Sequence, residues 1–388
     1  MMVTKILLVD DEPDLEIMIS QKFRKQVRDR EMIFAFAKNG FEALQILQAQ
    51  PDVHVLLTDI NMPEMDGLTL LGKVNEQYPL VKSVIVSAYG DMSNIRTALN
   101  RGAFDFLTKP IDFTDLETTL KKTIHEAHLF QKAAREHDQL VALQQELNVA
   151  RQIQKTIVPR KFPPFPERKD FEILAEMIPA RDVGGDFYDF FLVDEEKLGF
   201  VIADVSGKGI PAALFMAVSK TLLKATALKG LPPAECLQQV NRILYLESVA
   251  TMFVTVFYGI LNTRTGEVHY SNGGHNPPYV LRADGSLDSV TGAGGLVLGG
   301  MANTTYQTHT LQLQRGDGIF LYTDGVTEAM DPQQEQFAET RLEDSLKDSS
   351  NAPLADIVQK ISAAVKTFGQ GAAPADDMTI LALRFLGK

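Results

Sequence analysis

Between residues 4 and 125, short apolar runs alternate with amphipathic stretches. The runs are Lys5–Val9, Met32–Ala37, Val53–Thr58, Ser83–Ser87 and Phe104–Leu107. Apolar residues recur every three or four positions at Pro13–Gln26, Gly40–Gln50, Gly67–Gln77, Met92–Asn100 and from Thr114 onward. Short runs bounded by polar turns predict strands, and the 3.6-residue rhythm between them predicts helices. This alternation is that of a doubly wound parallel sheet, whose ligands gather at the carboxyl ends of the strands.

The rhythm then changes. From Thr114 to Ile157 there is neither Gly nor Pro, and Ala, Leu, Gln, Glu, Lys and Arg dominate, which predicts one long helix or two nearly continuous ones. Leu140, Leu143, Leu147, Ala150 and Ile157 form a stripe in which Gln154 is the polar exception. Such a stripe pairs with a second chain as a coiled coil, giving a homodimer, or else packs on a flanking domain. The Pro-rich stretch Val158–Pro166 ends the helix. Beyond it the pattern is β-rich: Phe171–Ile178, Phe187–Leu192, Lys197–Asp204, Met252–Asn262, Glu267–Ser271, Pro278–Leu281, Gln307–Leu313, Gly318–Thr323 and Thr379–Phe385. Helical patterns at Ile210–Lys229, Pro233–Glu247 and Pro353–Thr367 interrupt and follow the strands, predicting an α+β sandwich with helices outside packed sheets. The expected organisation is a first domain at 1–125, a helical linker at 126–165 and a second domain at 166–388.

Composition narrows the function. The 388 residues are 45% hydrophobic, enough for sizeable cores, and the net charge of −12 argues against a broad basic face for nucleic acid. No helix-turn-helix or basic recognition helix follows the first domain, which disfavours a DNA-binding regulator. The single cysteine, Cys236, excludes a disulfide framework within the chain and sits where a buried helix face is expected. No apolar stretch approaches the roughly 18–20 residues of a membrane span, and the start lacks a signal-peptide cleavage site. A cytoplasmic protein without membrane contact is expected.

Acidic residues mark two sites. Asp10-Asp11 closes the first predicted strand, Asp59 the third and Ser87 the fourth, and Lys109-Pro110 follows the fifth. Carboxylates gathered on one sheet edge can bind Mg²⁺, a further carboxylate can act as nucleophile toward phosphate, and the lysine and hydroxyl can hold phosphoryl oxygens. The segments L-L-V-D-D-E-P (Leu7–Pro13), D-I-N-M-P-E-M-D-G (Asp59–Gly67), V-S-A-Y-G (Val86–Gly90) and A-F-D-F-L-T-K-P (Ala103–Pro110) resemble the receiver domain of bacterial two-component response regulators. The resemblance implies a flavodoxin-like five-stranded parallel sheet and phosphorylation of Asp59 by a cognate histidine kinase. It further implies Mg²⁺ held by Asp11 with Asp10, Asp59 and the Asn61 carbonyl, and Ser87, Phe106 and Lys109 as the residues that respond. Phe106 lacks a tyrosine hydroxyl, so only ring packing is available to it. The Lys109–Pro110 bond is of the kind that tolerates cis geometry.

The second site is spread over four motifs, each joining an apolar run to small residues: G-G-D-F-Y-D around Asp186, D-V-S-G-K-G from Asp204, Y-T-D-G-V-T-E around Asp324 and D-D-M-T from Asp376. Hard divalent cations gather carboxylates from distant segments in this way. With N-G-G-H-N-P-P (Asn272–Pro278), these motifs resemble the PPM-type protein serine/threonine phosphatases of the SpoIIE and RsbU branch. The resemblance implies that Asp204 bridges two Mn²⁺ or Mg²⁺ ions, with the Val205 carbonyl, Asp324 and Asp376 completing the set and Asp186 in contact directly or through water. Spacing does not separate Asp376 from Asp377; Asp376 is favoured. Arg181 is placed either to bind phosphate or to form a surface ion pair. His275 is either an acid or ligand or, preferably, a structural residue of a tight turn. Gly207 and Gly209 let the chain pass close to the metals into the next helix.

The expected function is therefore a response regulator whose Asp59 controls a two-metal phosphoserine/phosphothreonine phosphatase. The family resemblance implies that the substrate is a phosphorylated STAS-type anti-anti-sigma protein. The alternative is a phosphorylation-gated adaptor that has lost catalysis and only captures a partner; the retained aspartates disfavour it.

Overall fold

In the computed structural model the five N-terminal apolar runs become β1 (Thr4–Val9), β2 (Met32–Ala37), β3 (Val55–Asp59), β4 (Lys82–Ala88) and β5 (Asp105–Lys109). They pair in the order β2-β1-β3-β4-β5, all parallel. Residues 3–88, 91–247, 252–291, 294–347, 349, 352–372, 374 and 376–387 are described; Tyr89 and Gly90 of the V-S-A-Y-G motif lie outside them. The crossovers are α1 (Pro13–Lys22), α2 (Arg24–Arg28), α3 (Gly40–Ala49), α4 (Gly67–Gln77) and α5 (Met92–Asn100). Asn39 and Asp66 cap α3 and α4 by accepting from the backbone N–H of Glu42 and Thr69. The single helix expected over Pro13–Gln26 is instead broken at Phe23, whose ring is buried against Leu15 and Ile19.

One helix, α6 (Phe113–Ile157), follows without interruption for 45 residues. Asp112 starts it by accepting from the N–H groups of Thr114 and Asp115, and it stops just before Pro159, whose ring disfavours helical geometry at Val158. The chain divides into two compact units inside this helix, at Leu143/Gln144. In the first unit Leu116, Leu120 and Ala127 join the core beneath β1, β3, β4 and β5. The expected stripe does not behave as one surface: Leu140 and Leu143 are 66% and 50% exposed, whereas Ala150 and Ile157 are half-buried and Gln154 is buried in the second unit.

The second unit holds two antiparallel five-stranded sheets. One contains β7 (Phe187–Leu192), β8 (Lys197–Val205), β9 (Val254–Asn262), β10 (Glu267–Gly273) and β13 (His309–Gln312), in the order β13-β10-β9-β8-β7. The other contains β6 (Phe171–Ile178), β11 (Tyr279–Leu281), β12 (Leu287–Ser289), β14 (Gly318–Tyr322) and β15 (Met378–Phe385), in the order β12-β11-β14-β15-β6. Strand alternation assigns the faces. Ile319, Leu321, Leu381 and Leu383 enter the core shared with the first sheet, while Phe320, Tyr322, Ile380 and Ala382 pack on the helix side. Helices α7 (Ile210–Ala227) and α8 (Pro233–Glu247) cover the first sheet; α10 (Ala338–Lys347) and α11 (Leu354–Gly369) cover the second. A single turn, α9 (Asp324–Thr327), follows β14.

One expectation needs correcting. Ile210–Ala227 is 18 residues long with a mean hydropathy of 1.2, long and apolar enough by composition to cross a membrane. Here it is a helix of the sandwich. It packs on β7 and β8, and its Lys220 forms a buried 2.6 Å ion pair with Asp189 of β7.

Candidate functional site

At the carboxyl edge of the parallel sheet, Asp10 directly follows β1 while Asp59 and Lys109 end β3 and β5. Carboxylate oxygens of Asp10, Asp11 and Asp59 lie within 4.8 Å of one another, with Asp10 and Asp59 buried and Asp11 exposed. Lys109 Nζ stands 2.7 Å from Asp59 Oδ2 and 3.0 Å from both Asp10 Oδ2 and Glu12 Oε1. Burial raises the Asp10 carboxyl above its ordinary value, against the pull of the Glu12 N–H and of Lys109. Burial alone would lower the Lys109 ammonium; hydrogen bonds to Asp59, Asp10 and Glu12 outweigh it and raise it. Three carboxylates against one ammonium suit a hard divalent cation, which takes oxygen ligands.

The remaining residues expected at this edge are placed as follows. Asn61 is exposed and its N–H reaches Asp59 Oδ1 at 3.4 Å. Ser87 is fully buried and its Oγ has no hydrogen-bond partner among the described residues. Phe106 is half-buried against Ile60, Leu71, Ile85, Ala98 and Ala103. The Lys109–Pro110 bond is cis. Gly67 is needed for close approach, since a Cβ there would lie 2.0 Å from the Asp59 carbonyl oxygen.

The second cluster is built by both sheets of the sandwich. Asp186 immediately precedes β7 and Asp204 is the penultimate residue of β8, which are neighbouring ends of the first sheet. Asp324 follows β14 by two residues and Asp376 precedes β15 by two, neighbouring ends of the second. Thr323 ties the sheets together: its hydroxyl donates to Asp186 Oδ2 at 2.7 Å and accepts from the Thr379 N–H at 2.9 Å. Burial pushes the Asp186 carboxyl well up, and the charges of Asp204 and Asp377 push it further. Burial and the neighbouring Asp324 charge push Asp204 up to about 7, against a hydrogen bond shared with Asp186. Burial, Glu328 and Asp376 push Asp324 up to about 6. These carboxylates are more widely spaced than the first trio, which is the only set of three within 4.8 Å among the described residues.

Geometry separates the two aspartates that spacing left together. Asp377 is buried, and both its oxygens are engaged by backbone: Oδ1 accepts from Ala180 N–H at 2.8 Å and Oδ2 from Gly185 N–H at 2.7 Å. Asp376 is only half-buried: its Oδ1 accepts from the Asp377 N–H at 2.9 Å and its Oδ2 pairs with Lys208 Nζ at 2.8 Å, and its charge acts on Asp204 and Asp324 where that of Asp377 acts on Asp186 and Asp204. Three glycines of the motifs are steric necessities. A Cβ at Gly184 would lie 2.1 Å from Asp377 Oδ2, one at Gly325 1.9 Å from the Asp377 carbonyl, and one at Gly185 2.8 Å from the Val205 carbonyl. Arg181 is exposed and makes no ion pair among the described residues. His275 is buried with Nδ1 2.9 Å from Thr255 Oγ1, and Thr255 in turn reaches the Asp204 carbonyl at 3.4 Å. Burial pushes the imidazole down to about 4, against the Tyr322 backbone, so the ring is neutral near pH 7.

Residues 6–121 match the family model of the response regulator receiver domain, and residues 194–386 match that of stage II sporulation protein E, SpoIIE. The chain joins a receiver domain to a SpoIIE-family domain. It is 34% identical over 200 residues to phosphoserine phosphatase RsbU of Bacillus subtilis, covering 50% of this chain and 58% of that protein. It is 31% identical over 265 residues to protein IcfG of Synechocystis sp., covering 61% and 41%. The chain thus spans about half the length of these curated relatives. The solved SiaA-PP2C domain of Pseudomonas aeruginosa superposes with a TM-score of 0.56 at 22% identity, covering 63% of this chain and 98% of that one, a likeness of fold.

In the second unit, several residues at or near the cluster were not anticipated from sequence. Thr323 precedes Asp324 in Y-T-D-G and is buried where an apolar strand residue would be expected. Lys208, between two turn glycines with φ of 88° and 77°, faces Asp376. Asp189, the second aspartate of G-G-D-F-Y-D, points away from the cluster into its ion pair with Lys220. Gln154 is hydrogen-bonded to Gly184; its polarity within an apolar stripe was the available signal.

Proposed function

We propose that the SpoIIE-family domain is a divalent-metal-dependent phosphatase for phosphoserine and phosphothreonine in proteins, and that phosphorylation of Asp59 in the receiver domain controls it. The observation that carries this reading is the meeting of Asp186, Asp204, Asp324 and Asp376 from both sheets at one edge. Burial and mutual repulsion raise at least three of those carboxyls. Such a cluster is costly as anions alone and is relieved by cations. Asp204, the Val205 carbonyl, Asp324 and Asp376 would hold two Mn²⁺ or Mg²⁺ ions, with Asp186 beside them. When bound, such ions supply a hydroxide from water near neutral pH and neutralise the phosphate under attack.

The chain's own residues position this chemistry. Thr323 fixes the Asp186 carboxylate, and Asp377 holds the Ala180–Asp186 turn by its backbone. His275, neutral and buried, braces Thr255 against the end of β8, a structural role. Exposed Arg181 is the candidate to grip a substrate phosphate bidentately. Cys236 is buried with its thiol pushed up to about 12, which leaves no thiolate for a covalent route.

In the receiver domain an Asp59 oxygen attacks the phosphorus of a phosphohistidine on a cognate histidine kinase, and the imidazole departs with the bonding pair. Asp10, Asp11, Asp59 and the Asn61 carbonyl would hold Mg²⁺. The unpartnered Ser87 hydroxyl and the Lys109 ammonium would take phosphoryl oxygens, and Phe106 would repack with them. The substrate of the output domain is a phosphorylated STAS-type anti-anti-sigma protein. The names of RsbU and RsbP of Bacillus subtilis, both phosphoserine phosphatases, support the substrate class. We place the protein in the cytoplasm, dimeric through α6 beyond residue 126, with the output domain beginning near residue 166.

Purified chain with Mn²⁺ and a phospho-STAS protein tests the reading. Hydrolysis is expected, with Asp204→Asn lowering it by roughly three orders of magnitude or more, as loss of a central metal ligand should. Activity surviving that change at more than a tenth of the parent rate would refute the two-ion assignment. Asp59→Asn is expected to leave hydrolysis but abolish its response to an acyl-phosphate mimic.

A further inference from the structure

The last turns of α6 are fixed on the SpoIIE-family domain by a polar contact. Gln154 Nε2 donates to the Gly184 carbonyl at 2.5 Å, and the Gly184 N–H donates back to Gln154 Oε1 at 3.1 Å. The side chain is only 6% exposed, so neither group can turn to water when the contact breaks. On the same helix face Arg151 lies 3.8 Å from Asp182, and Val158, the residue after the helix, enters the sandwich core. The opposite face is open: Val149 and Ile153 are 55% and 57% exposed.

Gly184 is held from the other side as well. Its Cα lies so close to Asp377 that a methyl group would overlap the carboxylate, and that carboxylate binds the next N–H, of Gly185. Two residues later comes Asp186, which borders Asp204. The turn carrying Asp186 is therefore clamped between Asp377 at the start of β15 and Gln154 on α6. Of the two holds, Asp377 belongs to the sandwich itself, while Gln154 belongs to the helix that leads in from the receiver domain.

We propose that Gln154 is the positioning residue through which α6 sets the Gly184–Asp186 turn, making the metal cluster complete only while that face of the helix is seated. The proposal rests on the phosphatase reading for its catalytic consequence, but its structural part stands on metal binding alone. An α-helix turns by about 100° per residue, so a modest rotation of α6 withdraws the amide from Gly184. The Gly184 end of the turn would then be held by Asp377 alone, leaving only the Thr323 hydroxyl and the pairing of β7 with β8 to fix Asp186 beside Asp204.

The test uses the full chain, with Asp11→Asn introduced where Mn²⁺ binding is measured so that the receiver cluster does not contribute. Gln154→Leu keeps volume and removes both hydrogen bonds; Gln154→Glu keeps the acceptor for the Gly184 N–H and places oxygen against its carbonyl. Both are expected to weaken Mn²⁺ binding by roughly tenfold or more, the usual effect of losing a residue that orients metal ligands, with the leucine substitution the more severe. Both are expected to speed amide exchange at Gly184 and Gly185 and to lower kcat more than they raise KM. Ile153→Ala, on the open face of the same turn, should match the parent in all three. If Gln154→Leu prevents folding, Gln154→Glu decides. Mn²⁺ affinity and exchange within twofold of the parent in a folded Gln154 variant would overturn the proposal. A parent chain that binds Mn²⁺ yet hydrolyses no phosphoprotein would sink the phosphatase reading and leave these two measurements to judge Gln154.

Discussion

Two adjacent aspartates, identical in side chain, have different jobs because of what their oxygens touch. Asp377 accepts from two backbone N–H groups and is buried, so Asp377→Asn turns an NH₂ toward a donor and leaves that N–H unpaired. The expected loss is about 2–3 kcal/mol of stability, the range for a buried hydrogen bond to a charged group, read by denaturant unfolding in chelator. Asp376→Asn removes one of several repelling charges around Asp204 and Asp324, so stability in chelator should hold or rise while Mn²⁺ binding falls. Reversed effects would exchange the two roles. The same cluster sets a pH dependence. Burial and like charge hold Asp204 near 7 and Asp324 near 6 in the fold, against about 3.9 for an unfolded aspartate, so without metal the folded chain carries more protons between these values. Stability in chelator should therefore fall as pH rises from about 4 to 7 and level off above, since unfolding then releases protons. Saturating Mn²⁺, which displaces those protons, should raise the melting temperature more at pH 8 than at pH 5. A melting temperature in chelator that is flat across this window would contradict the raised carboxyls.

At the scale of elements, α7 shows how composition and environment diverge. Its hydropathy is that of a membrane span, yet Lys220 lies buried against Asp189 of β7, with Lys224 3.3 Å from the same carboxylate. Lys220→Met should cost about 3–5 kcal/mol, because an aspartate is left buried with only a half-exposed lysine for company; Asp189→Asn with Lys220→Met should recover much of it. Equal losses in the single and double variants would show that packing, not the pair, sets the cost. The βα rhythm of the receiver domain was legible because each strand is a short apolar run and each crossover has a 3.6-residue face. The sandwich strands were legible because Ile319–Tyr322 and Ile380–Leu383 are apolar on both faces, one meeting a sheet and the other helices. What escaped notice has thin signals. α10 buries only Leu342 and Leu346 in an otherwise polar decapeptide, and β12 is three edge residues, one half-buried and two exposed. The stripe on α6 was visible, but sequence does not say which part of it faces solvent. Leu140 and Leu143 do, and if they form the seam between two chains, Leu140→Asp with Leu143→Asp should convert a dimer to a monomer by sedimentation. An unchanged sedimentation coefficient would remove this stretch as the seam.

At the scale of the whole molecule, the aspartate proposed to accept phosphate, Asp59, is connected by a single helix to four that are suited to metal. The four were conspicuous in sequence because each joins an apolar run to small or polar residues, and the linking helix was legible as a stretch without Gly or Pro; the structure makes it continuous from Phe113 to Ile157. A continuous helix carries rotation as well as displacement, and that gives the proposed control a phase. Two glycines inserted beside His137 advance the following helix by about 200° and soften it by about 1 kcal/mol each. A seven-residue insertion of helix-forming sequence at the same point adds about two turns and nearly restores the original face. If the receiver acts by turning α6, the seven-residue variant should keep a phosphatase rate that responds to an acyl-phosphate mimic at Asp59. The Gly-Gly variant should lose the response while Asp59 still accepts phosphate. The sign of the response is free to be either; its dependence on helical phase is what the mechanism requires. A Gly-Gly variant that responds like the parent would mean that α6 is a tether, and that the two domains communicate by some route other than a stiff helix.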